Sequence, residues 1–191
     1  MKLVNTGKEK KINAILFFCQ NVKYLSQTKL YKLLFFLDFL HFKETGRPIT
    51  DLEYYAWEKG PVPQSLYFEI QKRTAPPDIL KCLLPEKDQL TGETKAIYFK
   101  THKKPDMDIF SLREKKLLEN LAFIFKETRA EDMIEITHLK NEPWHKTLTT
   151  KGPKRRIDFL LALDKDAKIS MELAEERLQY SNEMKKMFGS E

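Results

Sequence analysis

The sequence predicts a mainly α domain with a small antiparallel sheet (α+β), compact around one central buried helix, and three observations carry that reading. Between Leu30 and Phe42 only Lys32, Asp38 and His41 are polar, so apolar residues occur on every face of a helical wheel. Such a helix sits inside a domain or in a membrane, and this run falls well short of the roughly 20 residues that a bilayer crossing needs. Through much of the remaining chain apolar residues recur at three- and four-residue steps, the helical period. Between Asp88 and His102 the text changes, and DQL-TGET-KAIYFKT reads as a β-hairpin.

Taken in order, the first helix covers about 8–22, with Ile12, Ile15, Leu16, Cys19 and Val22 on one face. Ser26 is placed to cap the central helix, Gly46 to end it and Pro48 to stop it from resuming. Tyr54, Tyr55 and Trp57 favour an extended segment. Gly60-Pro61 reads as a turn, and Pro63 opens a helix carrying Leu66, Tyr67 and Ile70, followed by a shorter helical piece over 78–84. The hairpin turns at Thr91-Gly92-Glu93-Thr94, sets Ile97 and Phe99 on one face, and is expected to pair with 53–57. Ser111-x-x-Glu114 is a capping box that opens a helix with Leu118, Leu121, Ala122 and Phe125 inward. Thr128-x-x-Glu131 repeats the pattern ahead of Met133 and Ile136, and Pro143-Trp144 closes that unit. The stretch from Lys151 to Arg156 reads as a linker, and 157–163 and 171–188 as helices, the latter packing through Ala174, Leu178 and Tyr180. The organisation expected is a helical domain over 1–150 and a helical extension over 151–191 packed on it.

Composition sets bounds without naming a function. Six glycines disfavour glycine-rich nucleotide folds, and 34 basic against 28 acidic residues give a net charge of +6, which surface lysines alone could supply. Cys19 and Cys82 show no ligand spacing and are expected to be reduced thiols in a cytoplasmic protein. The lysines before Ala14–Cys19 imitate a signal peptide, but the apolar run is short and helical in spacing.

Asp38 is the oddest residue, a carboxylate inside the most apolar helix, where it needs a partner or a proton. It reads as a structural polar anchor together with His41, one turn on, and Arg47; the rival reading is a functional polar site built on Asp38 and His41. Trp57-Glu58-Lys59-Gly60-Pro61-Val62-Pro63, flanked by Tyr55 and Tyr67, combines an aromatic anchor with a stiff backbone and so suits partner binding through Tyr55, Trp57, Lys59, Pro61, Val62, Pro63 and Tyr67. The alternative is a turn whose Trp fills the core. His41, His102, His138 and His145 lack zinc spacing, and the chain has no GxSxG elbow, Walker loop or GxGxxG. No metal, cofactor or catalysis is expected. Lys151, Lys154, Arg155 and Arg156 form a basic cluster that would grip phosphates or an acidic partner, or merely solvate a linker.

Three ordered motifs resemble the Panacea domain, the family of SocA-like antitoxins and phage-associated GepA-like proteins. They are Lys29-Leu30-x-Lys32-Leu33-Leu34-Phe35-Phe36-Leu37-Asp38, then Gly46-Arg47-Pro48-Ile49-Thr50, then Ala56-Trp57-x-x-Gly60-Pro61-Val62-Pro63-x-Ser65-Leu66-Tyr67. Leu112-x-x-Glu114 and the segment from Leu139 to Trp144, with His138 before it, match less specifically. The resemblance covers about Ile12 to Trp144 and implies a mostly helical domain with a small sheet. It implies the antitoxin half of a toxin–antitoxin pair, binding a toxin protein encoded nearby. Two other readings stand beside it: an adaptor that hands the toxin to a bacterial ATP-dependent protease, and a basic nucleic-acid-binding regulator. The tail beyond Arg156 lies outside these motifs.

Overall fold

Helix α2 (Gln27–Thr45) is the axle of the molecule, with twelve of its residues buried. A computed structural model describes residues 6–89, 91–139 and 142–188, without the side chains of Lys185 and Phe188. Leu90 of the expected hairpin, and Lys140 and Asn141 of the family-like segment, lie outside the described residues. Both ends of α2 follow their local chemistry: Ser26 Oγ accepts the Lys29 amide, and Gly46, at φ +67°, donates its N–H to Phe42 O at 2.7 Å.

Three charged side chains inside this apolar helix each hold another element. Lys29 Nζ donates to Lys23 O at 2.8 Å and Lys126 O at 3.5 Å, the residues just beyond α1 (Thr6–Asn21) and α5 (Leu112–Ile124). Lys32 Nζ donates to Pro61 O at 3.1 Å. Asp38 takes the segment that follows α2. Burial without a carboxylate partner pulls the lysines down, Lys29 to about 8 and Lys32 to about 7.

Around α2 the core is aromatic. Phe36 stacks on Phe125 at 5.4 Å, while Phe35, Phe39 and Tyr54 form edge and tilted contacts that Phe159 completes at 4.4 Å from Phe39. The Ser111–Glu114 capping box is formed, and Glu114 also receives Lys10 at 2.8 Å, which binds α1 to α5. Cys19 and Cys82 are buried free thiols.

Strand pairing differs from the expectation. β1 (Tyr54–Trp57) pairs with β2 (Gly60–Pro63), turning at Glu58-Lys59 rather than Gly60-Pro61. The later hairpin is a separate sheet of β3 (Leu83–Lys87) and β4 (Thr94–Phe99), tied instead to the entry of α2 through Phe99 N–H to Leu25 O at 2.8 Å. Between the sheets run α3 (Gln64–Gln71) and the single turn α4 (Pro77–Leu80), so Leu83 and Leu84 are strand, not helix. Thr128 does not cap: α6 (Ala130–Thr137) starts after Arg129, and Thr128 Oγ1 turns back to Ile124 O at 3.4 Å. Met133 is buried but Ile136 is exposed. Pro143-Trp144 opens α7 (Pro143–Lys151) rather than closing the preceding unit. A 3₁₀ turn occupies Phe159–Ala162, and α8 (Met171–Phe188) buries Ala174 while Tyr180 stays exposed.

The stretch read as a linker is a strap on the sheet. Lys154 N–H donates to Ala56 O at 2.7 Å, Ala56 N–H to Arg155 O at 2.9 Å, and Ile157 N–H to Tyr54 O at 2.8 Å. Arg156 then reaches Glu53 at 2.6 Å. These bonds cover the outer edge of β1.

Candidate partner-binding surface

The first hairpin is set in place by Asp38. Its Oδ1 accepts the amides of Ile49 and Thr50 at 2.7 and 2.8 Å, and its Oδ2 accepts the hydroxyls of Thr50 and Tyr54. Burial pushes this carboxyl up to about 6, against the four donors that pull it down; Tyr54 is raised by its own burial and by the Asp38 charge. Both oxygens are saturated, so Asp38 holds the chain that enters β1. His41 belongs to a neighbouring knot: its Nδ1 lies 2.7 Å from Arg47 O and 3.2 Å from Thr45 Oγ1, and burial lowers its pKa. Arg47 takes part through its carbonyl, not its guanidinium. Asp38, His41 and Arg47 thus frame one loop without forming one cluster.

Along β1 the side chains alternate, with Tyr54 and Ala56 buried and Tyr55 and Trp57 half-buried on the other face. Opposite, every residue of β2 is buried. Pro61, Val62 and Pro63 therefore offer no exposed contact area; they fix the hairpin from below. Ala56 turns both backbone groups toward the strap, so Pro61 opposite it, and Pro63 two residues on, direct theirs away from β1. Proline has no N–H to offer there, and Pro61 O is already taken by Lys32. Strap and prolines together close both edges of this hairpin to an added strand.

The face that remains is aromatic. The Trp57 ring meets Tyr67 edge-on at 4.9 Å, and Tyr67 meets Phe68 at 5.3 Å, with Lys72 over the Phe68 ring. Lys59 is exposed at the hairpin tip. Trp57 Nε1 is enclosed and has no acceptor among the described residues. From behind, Trp144 of α7 donates its Nε1–H to Trp57 O at 2.9 Å, and His138 stacks flat on Trp144 at 3.7 Å. Burial and the Lys32 charge lower the His138 pKa. His138 is the C-cap of α6, whereas His145 lies in α7.

Two members of this site escaped the sequence reading. Phe68 is exposed and continues the aromatic row; the available signal was an aromatic residue placed off the Leu66/Ile70 face of its helix. Lys32, fixing β2 from inside α2, was visible only as one polar residue in an apolar run.

Among the described residues no three His, Cys, Asp or Glu side chains gather as a metal site requires, and no helix is long and apolar enough to cross a membrane. No curated protein and no solved structure gives a significant match. The family described as antitoxin SocA-like, Panacea domain, matches residues 30–145, more than half of the chain and the span holding both hairpins and most of α2. With Lys32, Asp38 and the proline-edged hairpin inside that span, the chain belongs to the SocA-like antitoxin, Panacea domain family.

Proposed function

We propose that this chain is an antitoxin that silences a protein toxin by stoichiometric binding and not by catalysis, using the face made by Tyr55, Trp57, Tyr67 and Phe68 with Lys59 at its tip. The observation that carries the reading is the half-buried Trp57 at one end of a row of rings that runs through Tyr67 to the exposed Phe68. A partner that packs over these rings buries large, rigid aromatic surface, the make-up of an interface hot spot. The hairpin is already held by Lys32, Asp38, Trp144 and the strap, so little entropy is lost when it docks. Asp38, with both oxygens occupied, serves the fold and not a proton-transfer step. The toxin and its antitoxin would meet in the cytoplasm, where Cys19 and Cys82 stay reduced.

The test is co-expression with the adjacent reading frame. Growth should be lost with the neighbour alone and restored with this chain present. Replacing Tyr55 and Trp57 by serine should remove the rescue while the circular-dichroism melt still shows a folded protein. Rescue that survives both changes would sink the proposed surface. An immunoblot of the toxin separates the mechanisms: a constant level means blocking, and disappearance means delivery to a protease.

A further inference from the structure

A second feature adjoins the aromatic face. Between α3 and the β3–β4 sheet runs a groove of about 410 Å³, into which Tyr67, Ile70, Arg73, Leu83, Lys95 and Ile97 project among its lining residues. Ile70, Leu83 and Ile97 give it an apolar floor. Its charges are of one sign: Arg73 stands just past the end of α3, the sheet wall carries Lys95, and no acidic residue lines it. Neither cation has an ion pair among the described residues. Tyr67 belongs to both features, lining the groove and meeting Trp57 edge-on.

We propose that this groove takes an acidic segment of the toxin, with apolar side chains on the floor and carboxylates between Arg73 and Lys95. This rests on the reading of the chain as a toxin-binding antitoxin and names the part of the partner that the second surface recognises. Charge complementarity favours an acidic occupant, and continuity through Tyr67 makes one partner spanning both surfaces the economical arrangement. Nucleic acid fits less well: two cations neutralise too few phosphates for firm binding.

The experiment uses the full chain and the product of the adjacent gene that it neutralises. Biolayer interferometry compares the wild type, the double variant Arg73→Glu/Lys95→Glu and the variant Trp57→Ser at 50 and 500 mM NaCl (roughly 14 and 4 Å Debye lengths). An array of overlapping peptides covering the toxin is probed in parallel. Both reversed side chains are exposed, so the double variant should melt as the wild type does. Support is a loss of about 30-fold or more in affinity on double reversal, with an acidic toxin peptide held by the wild type at low salt and released by the double variant. If the double variant binds the toxin as the wild type does while Trp57→Ser does not, the groove proposal is wrong and the aromatic-face reading stands. If the wild type binds no neighbouring product, both fall together. Bulk RNA retained through Arg73 and Lys95, with toxin affinity untouched by their reversal, also overturns the groove proposal.

Discussion

The Tyr54 hydroxyl donates to Asp38 Oδ2 at 2.7 Å, joining β1 to the middle of α2 with both side chains fully out of water. Together with Ile49 and Thr50 it makes Asp38 a four-donor socket. Asp38→Ala leaves all four donors without an acceptor, at about 1–3 kcal/mol for each one that water cannot reach. The expected loss exceeds ~3 kcal/mol, a large part of an ordinary domain's stability. Tyr54→Phe removes one donor and leaves three, at about 1–2 kcal/mol. Urea unfolding ranks the two, and the reverse order would show that the tyrosine, not the carboxylate, organises the loop.

Lys32 gives a pH signature. Its folded pKa is lowered from 10.5 to about 7 by burial, so between those values the unfolded chain holds a proton that the folded chain lacks. Its contribution to stability therefore rises with pH from about 7 toward 10.5, and the full penalty is present below 7. In Lys32→Met that rise should be missing, with a slope difference of up to about 1.4 kcal/mol per pH unit. Urea midpoints for both proteins between pH 6.5 and 10 test this, and parallel curves would mean the ammonium keeps its charge inside the fold.

Gly60 faces two constraints. At φ +99° its backbone disfavours a side chain, and an added Cβ would lie 2.5 Å from Lys32 Nζ and 3.0 Å from Thr137 Oγ1. Gly92, at φ +71°, has open space around the same position. Gly60→Ala should cost roughly 1–3 kcal/mol and also weaken toxin binding by displacing the hairpin. Gly92→Ala should cost about 1 kcal/mol and leave binding unchanged. Melting curves and toxin affinity on both variants separate backbone strain from crowding.

Val62 and Lys59 lie three residues apart but should fail differently. Val62 is buried, so Val62→Asp should destabilise by about 3 kcal/mol and lose binding only by losing the fold. Lys59 is exposed, so Lys59→Glu should leave the melt unchanged and alter mainly the rate of association and its salt dependence. Stopped-flow mixing with the toxin, beside a thermal melt, distinguishes them.

Much of the helical frame was legible because its signals are local. The run from Leu30 to Phe42, the Ser26 cap and the Gly46 stop all concern neighbouring residues, as does the Ser111–Glu114 box. Thr128 carried the same signature as Ser111, yet its hydroxyl found the carbonyl of the helix it had just left, a competition that a four-residue pattern does not register. Strand partners were not legible either. Lys151 to Arg156 has the composition of a linker, but the strap bonds through backbone groups that every residue type carries. Likewise Gly60-Pro61 looked like a turn, when the glycine was needed for the close approach of Lys32 and the prolines for a silent edge. At the candidate surface, Tyr55, Trp57 and Tyr67 were found by residue type, and only burial removed Pro61, Val62 and Pro63 from the exposed face.

The strap carries a practical consequence. The family span stops at residue 145, whereas Ala56 obtains both of its outward backbone bonds from Lys154 and Arg155, and Phe159 roofs Phe39 and Phe42. Cutting the gene at the end of the recognised span would bare a hydrogen-bonding rim and a pair of greasy rings at once, and such a fragment should aggregate. Where recognisable ancestry ends and where the cooperative unit ends are separate questions in this protein.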